Sequence, residues 1–403
     1  MYVGYVVMAV MFPILFVKYG IPKLPLMIFA PLLVAGMVYI GSGDNDMKSF
    51  LKIFIGFFSS VLFYRYVLEI YDFNVDKLFR WYCKGAVIIS ILGVIQVIAF
   101  NVGIKPLWNY HWIFNKWGTA YGGLGIRMNS VFSEPAYFAA VIAPAFFAAV
   151  HNIFWRRLDW MKKWESVLIF GAFFLTFSSL GILAIFIGTL LLLLNYGFFR
   201  YAIVFIPLFY FGFGYVYENV PEFRERYDGT IDVFYYNKVK SYDVHGSSFV
   251  LYNAYVISTE NFKRNPLFGT GLGSQEHAFD KYSLTRFADV VQIDFNKSDA
   301  NSMFLRLLSE TGLFGVVFML AFVVRNYIPR LKSANDTNWI ISNGILLIIL
   351  IYLARQGHYF LNGFPFFLWM YYYVRKRNTQ MRREQAQEKP IIPLQETKLI
   401  EGA

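Results

Sequence analysis

The most informative stretch of this 403-residue chain spans residues 299–315 and reads Asp-Ala-Asn-Ser-Met-Phe-Leu-Arg-Leu-Leu-Ser-Glu-Thr-Gly-Leu-Phe-Gly. Its polar residues recur at the spacing of one helical face, from Asp299 through Ser302 to Arg306 and Glu310. Asp299 is a suitable N-cap for such a helix. The stretch closes the longest polar segment and leads directly into an apolar run of membrane-spanning length. We therefore predict a helix that enters a membrane with a charged stripe on one side.

This charged stripe has two interpretations that the sequence alone does not separate. Ionisable side chains near the hydrocarbon are costly and usually face a cavity or a partner. Arg306 and Glu310 lie one helical turn apart, so they can form a structural ion pair at the membrane surface. Alternatively, the stripe can line a site that binds or transforms a polar ligand.

Composition places the chain among proteins that cross a membrane several times. Hydrophobic residues make up 57% of the sequence and charged residues only 16%. A soluble core does not need this proportion, and repeated long apolar runs predict an all-α polytopic fold. The net charge of +11 lies largely in short loops and near the C-terminus, where it sets membrane orientation. We therefore expect membrane lipids, and no nucleic acid, as partners.

Apolar runs predict about eleven transmembrane helices and one long outer loop. Lysine and arginine cluster in alternate loops, and the positive-inside rule assigns those loops to the cytoplasm. The resulting domains are transmembrane helices 1–8 over residues 1–217, a large outer loop over 218–300, helices 9–11 over 301–377 and a disordered cytoplasmic tail over 378–403. The predicted spans are 1–17, 24–40, 50–70, 84–104, 135–154, 164–178, 180–197, 201–217, 312–328, 339–354 and 364–374.

Two outer loops contain charged residues in positions that suit chemistry. Arg127 lies in a glycine-rich stretch that lets a ligand approach the backbone, and Glu134 precedes Pro135 at a helix N-terminus. Glu134 can serve there as a helix cap or as an acid–base group. In the last outer loop, Arg355 and His358 lie close in sequence, and His358 can be a hydrogen-bonding residue or a base.

The long loop contains a second glycine-rich segment, Asn-Pro-Leu-Phe-Gly-Thr-Gly-Leu-Gly, at residues 265–273. It follows Arg264, and its backbone N–H groups can either bind phosphate oxygens or belong to a purely structural turn. Arg286 lies farther along the same loop. Asp44 and Asp46 in the first outer loop have the spacing of a metal-binding pair, but two acids in a polar turn are common. We expect no metal ion and no cofactor.

Four segments together resemble the O-antigen polymerase and O-antigen ligase superfamily of bacterial envelope glycosyltransferases. They are Arg-x-x-Ser-x-Phe-x-Glu-Pro at 127–135, Leu-Thr-Phe-Ser-Ser-Leu-Gly at 175–181, the segment 265–273 and the helix 299–315. The resemblance spans about residues 120–375 and depends on the order and placement of the motifs. It implies a GT-C-like glycosyltransferase architecture in the bacterial inner membrane, with the active site facing the periplasm.

One position departs from the pattern of the family's ligases. Those enzymes carry a His followed by Asn, Ser or Gln, then nine residues, Gly, two residues and Gly. This chain has Asn301 and Ser302, followed at the same spacing by Gly312 and Gly315, so Asn301 stands in place of the histidine. An amide cannot act as a general base at neutral pH. The departure favours a polymerase over a ligase.

The resemblance also implies a reaction, in which the growing glycan moves from polyprenyl pyrophosphate to a sugar hydroxyl of a new lipid-linked unit. Outer arginines are then expected to bind the pyrophosphate, and Arg127 matches the family's motif. Location on the outer face adds Arg264, Arg286, Arg306 and Arg355. The match to the ligase frame adds Asn301 and Ser302 to the substrate site. The candidate bases for the acceptor hydroxyl are Asp299, Glu310, Glu134 and His358.

Two other functions fit parts of the sequence. The chain can be a ligase that transfers glycan to a lipid A core, or a transporter of lipid-linked oligosaccharides with arginines in its cavity. A transporter typically shows inverted repeats and broken helices near the middle of the membrane, whereas charge here concentrates at the outer ends. For a polymerase, the expected partners are the polyprenyl-pyrophosphate-linked oligosaccharide, a chain-length regulator and a flippase.

Overall fold

The computed structural model describes residues 3–113, 118, 120–122, 125–155, 158–219, 221–236, 246–287, 296–330 and 336–387. Within these residues the fold is all-α. Its helices are α1 (Val3–Tyr19), α2 (Lys23–Gly41), α3 (Met47–Ile70), α4 (Val75–Val102), α5 (Lys105–Trp108), α6 (Pro135–Phe154), α7 (Lys163–Leu175), α8 (Ser179–Tyr196), α9 (Phe198–Asn219), α10 (Pro221–Phe234), α11 (Gly246–Arg264), α12 (Gln275–Tyr282), α13 (Met303–Asn326), α14 (Asp336–Arg355) and α15 (Phe364–Gln387). Short 3-10 helices span Leu284–Phe287 and Leu361–Gly363.

Seven helices of the described residues, α2, α3, α4, α6, α8, α13 and α14, are long and apolar enough to cross a membrane. Peripheral helices expose large apolar side chains, such as Val10 and Val17 on α1 and Ile203 on α9. Such surfaces suit a lipid environment, in which helices satisfy their own backbone groups. The predicted all-α polytopic fold is therefore confirmed. Each predicted span overlaps a helix, but the count of eleven spans is not confirmed, and the GT-C-like architecture stays a prediction.

The centre of the bundle is the antiparallel pair α6 and α14, which are the most buried of these seven helices. A Cβ atom at Gly344 of α14 would lie only 2.9 Å from the carbonyl oxygen of Pro144 on α6. Further along the pair, His151 of α6 packs against Trp339 of α14. Alanine-rich α6 and the glycine of α14 allow this close approach, as small residues commonly do between membrane helices. α4, α7, α8 and α15 pack around this pair.

Polar contacts near the helix ends fall into two groups at the two ends of the bundle. At one end, which we call the site end, Arg264 pairs with Asp44 at 3.0 Å, and Arg306 donates to the carbonyl oxygen of Gly357. At the opposite end, Lys84 pairs with Glu165 at 2.5 Å. This grouping agrees with the alternation of loops in the predicted topology.

The structure adds helices to the long loop and corrects the predicted start of the tail. Among its described residues the loop is largely helical and contains α10, α11 and α12. The tail was expected to be disordered from residue 378, but α15 continues to Gln387, so that prediction is wrong for residues 378–387. Residues 388–403 lie outside the described part of the chain. Polar residues can extend a membrane helix into water because the backbone hydrogen bonds stay within the helix.

The start of α13 also differs from the expectation. Its N-cap is Ser302, whose hydroxyl accepts the N–H of Leu305 at 3.2 Å, and not Asp299. Asn301 has a φ of 54°, a left-handed conformation that cannot continue into a right-handed helix. The Asp299 carboxylate accepts the N–H of Asn301 at 2.9 Å instead. Asp299 therefore belongs to a turn that precedes the helix.

α13 is interrupted at Gly312, whose φ of 61° and ψ of −156° suit only glycine. The interruption exposes backbone groups that are costly to leave unsatisfied near a bilayer. The glycine-rich turn 265–273 satisfies them on both sides. The hydrogen bonds are Thr270 N–H to Ser309 O (3.2 Å), Gly271 N–H to Glu310 O (2.8 Å), Leu313 N–H to Pro266 O (2.8 Å) and Phe314 N–H to Leu267 O (3.0 Å).

Candidate functional site

Two polar segments meet at the site end, and we call their meeting point the polar junction. The first comprises residues 296–302, which connect the long loop to α13. The second comprises residues 355–359, which begin at the last residue of α14. The Ser302 hydroxyl, which caps α13, also donates to the carbonyl oxygen of Leu353 at 2.7 Å. This bond ties the start of α13 to the last turn of α14.

The junction brings together Asp299 and His358, two of the predicted catalytic residues. Asp299 Oδ2 lies 3.6 Å from His358 Nε2, and the two side chains are 13% and 29% exposed. The turn that carries Asp299 is locally fixed, because the Asn296 amide donates to the Asn301 side-chain oxygen at 2.8 Å. Asn301, predicted as a substrate-binding residue, therefore has a structural contact within this turn. A partly exposed acid–imidazole pair of this kind can accept a proton from a ligand.

The surroundings of His358 favour its neutral form. Burial lowers the pKa of His358 below its usual range, and the positive charges of Arg306 and Lys52 lower it further. The carboxylates of Asp299 and Glu310 oppose this effect by stabilising the imidazolium. The net direction is downward, so the imidazole is neutral and able to act as a base at neutral pH.

Beneath this pair lies a second ion pair that is fully enclosed. Arg306 Nε contacts Glu310 Oε1 at 3.1 Å, and the side chains are 1% and 0% exposed. Arg306 Nη1 donates to the carbonyl oxygens of Gly357 at 2.7 Å and Ser298 at 3.3 Å. The expected surface ion pair is therefore an interior pair. The Arg306 side chain is thus enclosed, whereas the sequence placed it among the pyrophosphate-binding residues.

Glu310 is surrounded by donors and does not have the exposure of a base. Its Oε2 accepts the hydroxyl of Tyr359 at 2.8 Å, and its Oε1 accepts the N–H of Gln275 at 3.3 Å. Burial and the Glu310 charge hold the pKa of Tyr359 well above its usual range, so the phenol stays protonated and donates. The Arg306 guanidinium lies 4.8 Å from the centre of the Tyr359 ring. Among the predicted bases, Glu310 is thus held as a structural carboxylate.

Gly357 explains how the two segments approach so closely. A Cβ atom at this position would overlap the Asp299 carboxylate and lie 2.8 Å from the Ala300 nitrogen. Only glycine leaves room for this approach. The local sequence contains no signal for this role of Gly357 beyond its neighbour His358.

Arg355 lies at the edge of the junction and is only partly exposed. Its guanidinium interacts electrostatically with the carboxylate of Asp299 and with the like charge of Arg226 on α10. Arg226 was missed by sequence analysis, because nothing in its local pattern separates it from other loop arginines. An open depression of about 390 Å³ adjoins the junction and is lined by Glu276, Asn296, Lys297 and Ser298.

A second group of predicted residues lies between α4, α6 and α7. Arg127 Nε donates to the carbonyl oxygen of Thr176 at 3.3 Å, at the C-terminal end of α7. The segment that follows is held by Gln96 of α4, whose Oε1 accepts the N–H groups of Asn129 and Ser130 at 3.2 and 2.9 Å. Gln96 is a positioning residue that its apolar helix gave no reason to select.

Glu134 occupies the N-cap position of α6 but makes no capping hydrogen bond with its side chain. The capping interpretation of Glu134 is therefore wrong in this structure. Although Glu134 is exposed overall, desolvation of its carboxyl group raises the pKa of that group, and the nearby charge of Arg127 opposes that rise. An acid with a raised pKa beside an arginine is able to exchange a proton with a bound ligand.

The two groups lie at a similar depth along the central helix pair. Pro144 and Gly344 face each other. Glu134 precedes the first by ten residues and Arg355 follows the second by eleven, so each lies about 15 Å further along at 1.5 Å per residue. α6 and α14 therefore bring Arg127, Glu134 and the polar junction to the same end of the molecule.

The remaining candidate residues have structural partners, except Arg286, whose side chain lies outside the described part of the structure. Arg264 is engaged with Asp44, and Asp46 caps α3 by accepting the N–H of Ser49 at 2.9 Å. The glycine-rich turn uses its N–H groups to complete α13, which supports the structural interpretation of that motif. Arg286 lies in the 3-10 helix Leu284–Phe287, and its side chain is outside the described part of the structure.

At one end of the apolar bundle, the described side chains thus include arginines that can bind an anion and acid–base residues that can exchange a proton. Within that described part, no three His, Cys, Asp or Glu residues group together as metal ligands. No protein-family model matches the chain, and a search of curated proteins finds no match for it. The chemistry of the site end is therefore what points to a function.

Proposed function

We propose that this protein is a membrane glycosyltransferase that polymerises lipid-linked oligosaccharide repeat units of O-antigen or capsule type. The observation that carries the proposal is the partly exposed Asp299–His358 pair, which adjoins Arg355. It lies at the same end of the helix pair α6 and α14 as Arg127 and Glu134. The segments that resemble the O-antigen polymerase and ligase superfamily supply Arg127, Glu134 and Asp299, whereas Arg355 and His358 are added by their location in the last outer loop.

In the proposed reaction, the bond between the sugar anomeric carbon and the pyrophosphate oxygen breaks, and polyprenyl pyrophosphate leaves with the electron pair. A hydroxyl of the acceptor unit forms the new glycosidic bond and gives its proton to His358. Asp299 stabilises the imidazolium that results. Arg127 and Arg355 bind the pyrophosphate, because planar guanidinium groups suit phosphate oxygens and the negative charge that develops on them.

A transporter remains the alternative from another functional class, and the interrupted helix α13 is a feature that transporters share. In transporters, unwound backbone typically lines a substrate cavity near the middle of the membrane. Here the freed groups around Gly312 are bonded to the turn 265–273 of the long loop. This use of the interruption favours an enzyme whose outer loop is anchored in its core.

A reconstitution assay tests the proposal. Purified protein is incubated with lipid-linked repeat units from the organism that makes it, and products are sized by gel. We expect a ladder of polymers with native protein and none with His358→Gln, whereas the matched control His111→Gln keeps the ladder. Movement of the lipid-linked unit across vesicles without polymer would contradict the proposal, and transfer to a lipid A core would support a ligase instead.

The proposed orientation places the site end in the periplasm of a bacterial inner membrane. A cysteine introduced at Ser247 should react with an impermeant maleimide added to intact spheroplasts, and one at Lys162 should not. The native Cys83 is 2% exposed, so it gives little background. Labelling at Lys162 alone would reverse the proposed topology.

A further inference from the structure

We propose that Arg306 is a positioning residue, which holds the two segments of the polar junction together and thereby sets the contact between Asp299 and His358. The inference rests on the proposed function only where it concerns reaction rate, because the contact can be measured without substrate. It assigns Arg306 a role different from the direct binding of pyrophosphate.

The hydrogen bonds of Arg306 reach the two residues that directly precede the pair. Nη1 donates to the carbonyl oxygen of Ser298, one residue before Asp299. The same nitrogen donates to the carbonyl oxygen of Gly357, one residue before His358. A single side chain on α13 therefore joins the backbone of both segments at the position where each presents its functional group.

The guanidinium is itself fixed from the other side. Nε contacts Glu310 one turn along α13, and the ring of Tyr359 packs against the guanidinium plane. The side chain is 1% exposed, so ligands in the open depression do not contact it. Lysine would carry the same charge but could not present this rigid fork of donors.

Replacing both members of the enclosed pair separates positioning from stability. Loss of one charge leaves its partner buried and uncompensated, whereas replacing both by apolar residues of similar volume is often neutral or stabilising. The variant Arg306→Met/Glu310→Met therefore removes the carbonyl clamp without leaving a buried charge. Its folding is checked by size-exclusion chromatography and thermal unfolding in detergent.

The readout is the pKa of His358, measured by NMR titration of the five histidine side chains in substrate-free protein. His358→Gln identifies the signal. The charged groups that act on His358 are Asp299, Arg306, Lys52 and Glu310. Arg306 lowers the pKa of His358 by more than Glu310 raises it, so removing both charges would by itself move the pKa upward. Asp299 raises the pKa of His358 more than any other charge does, so loss of this contact lowers the pKa as long as the imidazole stays enclosed.

We expect Arg306→Met/Glu310→Met to lower the pKa of His358 in the same direction as Asp299→Asn. A pKa that stays at the native value or rises would show that the pair persists without Arg306, and it would overturn the inference. A role for Arg306 in stability alone predicts that second result.

Gly357→Ala provides a variant that leaves the buried pair intact. Its Cβ would overlap the Asp299 carboxylate and force the segments apart, so the pKa of His358 should again fall. The matched control is Gly85→Ala on α4, where nothing lies within 4 Å of the new Cβ atom. An unchanged pKa in Gly357→Ala would overturn the inference even if the double variant failed to fold.

The activity measurement distinguishes positioning from substrate contact. A positioning role predicts that kcat of the double variant falls about 100-fold, the scale of general acid–base catalysis, while KM for the lipid-linked donor changes little. A large rise in KM with unchanged kcat would overturn the positioning role in favour of direct binding. If native protein forms no polymer while the pKa shifts occur, the proposed function fails and the structural inference stands.

Discussion

The enclosed pair Arg306–Glu310 and the open pair Asp299–His358 adjoin each other, yet they differ in every property that determines a role. The enclosed pair is 3.1 Å apart, almost completely buried and further bonded to Gly357 and Tyr359. The open pair is 3.6 Å apart and partly exposed. The enclosed pair has a structural role because its polar atoms are hydrogen-bonded within the protein. The open pair is able to react because it is partly exposed and the pKa of His358 is lowered. Charged residues on one predicted helical stripe can thus have different functions.

The largest expected effect is on stability, from breaking the enclosed pair. Arg306→Met alone leaves Glu310 charged and buried, which should lower the free energy of unfolding by about 3–5 kcal/mol. Unfolding is followed by circular dichroism in detergent. The control is Glu260→Gln, which removes an exposed ion pair with Lys263 and should hardly change the transition. If Arg306→Met and Glu260→Gln lowered the free energy of unfolding equally, the enclosed pair would be no more important for stability than an exposed pair.

The next effect is on rate, from the open pair. His358→Gln should lower polymerisation about 100-fold or more, because it removes the proposed base, while stability changes little.

Arg127→Lys should lower the rate by roughly 100-fold if the guanidinium binds the developing phosphate charge. Polymer length is measured against the amount of membrane-inserted protein. Full-length polymer from Arg127→Lys at normal expression would remove Arg127 from the pyrophosphate site.

The pH dependence of the rate sharpens the comparison further. His358 must be neutral to accept a proton, so activity should fall as the pH decreases through its pKa. Burial lowers that pKa, and the midpoint should lie below the usual value of about 6.5. Lys52→Gln removes a charge that lowers the pKa, so the midpoint should move to higher pH. A midpoint above 6.5 in native protein would contradict this environment for His358.

The smallest effect is expected at Arg264, whose side chain is 47% exposed and pairs with Asp44. An exposed pair contributes about 0–1 kcal/mol, so Arg264→Gln should leave both unfolding and polymer length nearly unchanged. The same gel and unfolding assays apply. A loss of polymer comparable with that of His358→Gln would extend the reactive site to the α2–α3 loop.

Sequence by itself determined the elements and their environment. Long apolar runs indicated the helices of a polytopic fold because hydrophobicity over a spanning length is a local property. The spacing of Arg306 and Glu310 indicated one helical face, and the three glycines of residues 265–273 indicated a tight turn, because both depend on backbone geometry within a few residues. The local sequence likewise identified four polar residues of the outer loops, namely Asp299, His358, Arg127 and Arg355.

Only the tertiary structure decided which of these residues meet and which are closed off. Asp299 and His358 adjoin because α13 and α14 are packed at their ends and Gly357 admits close approach. The interruption of α13 at Gly312 is stable because the turn 265–273, distant in sequence, bonds to the freed groups. Arg226 and Gln96 are identified only by their interactions with other elements, Arg226 with Arg355 and Gln96 with the backbone of Ser130. Such contacts depend on how whole helices pack, and burial, which separates the two ion pairs, is a property of that packing.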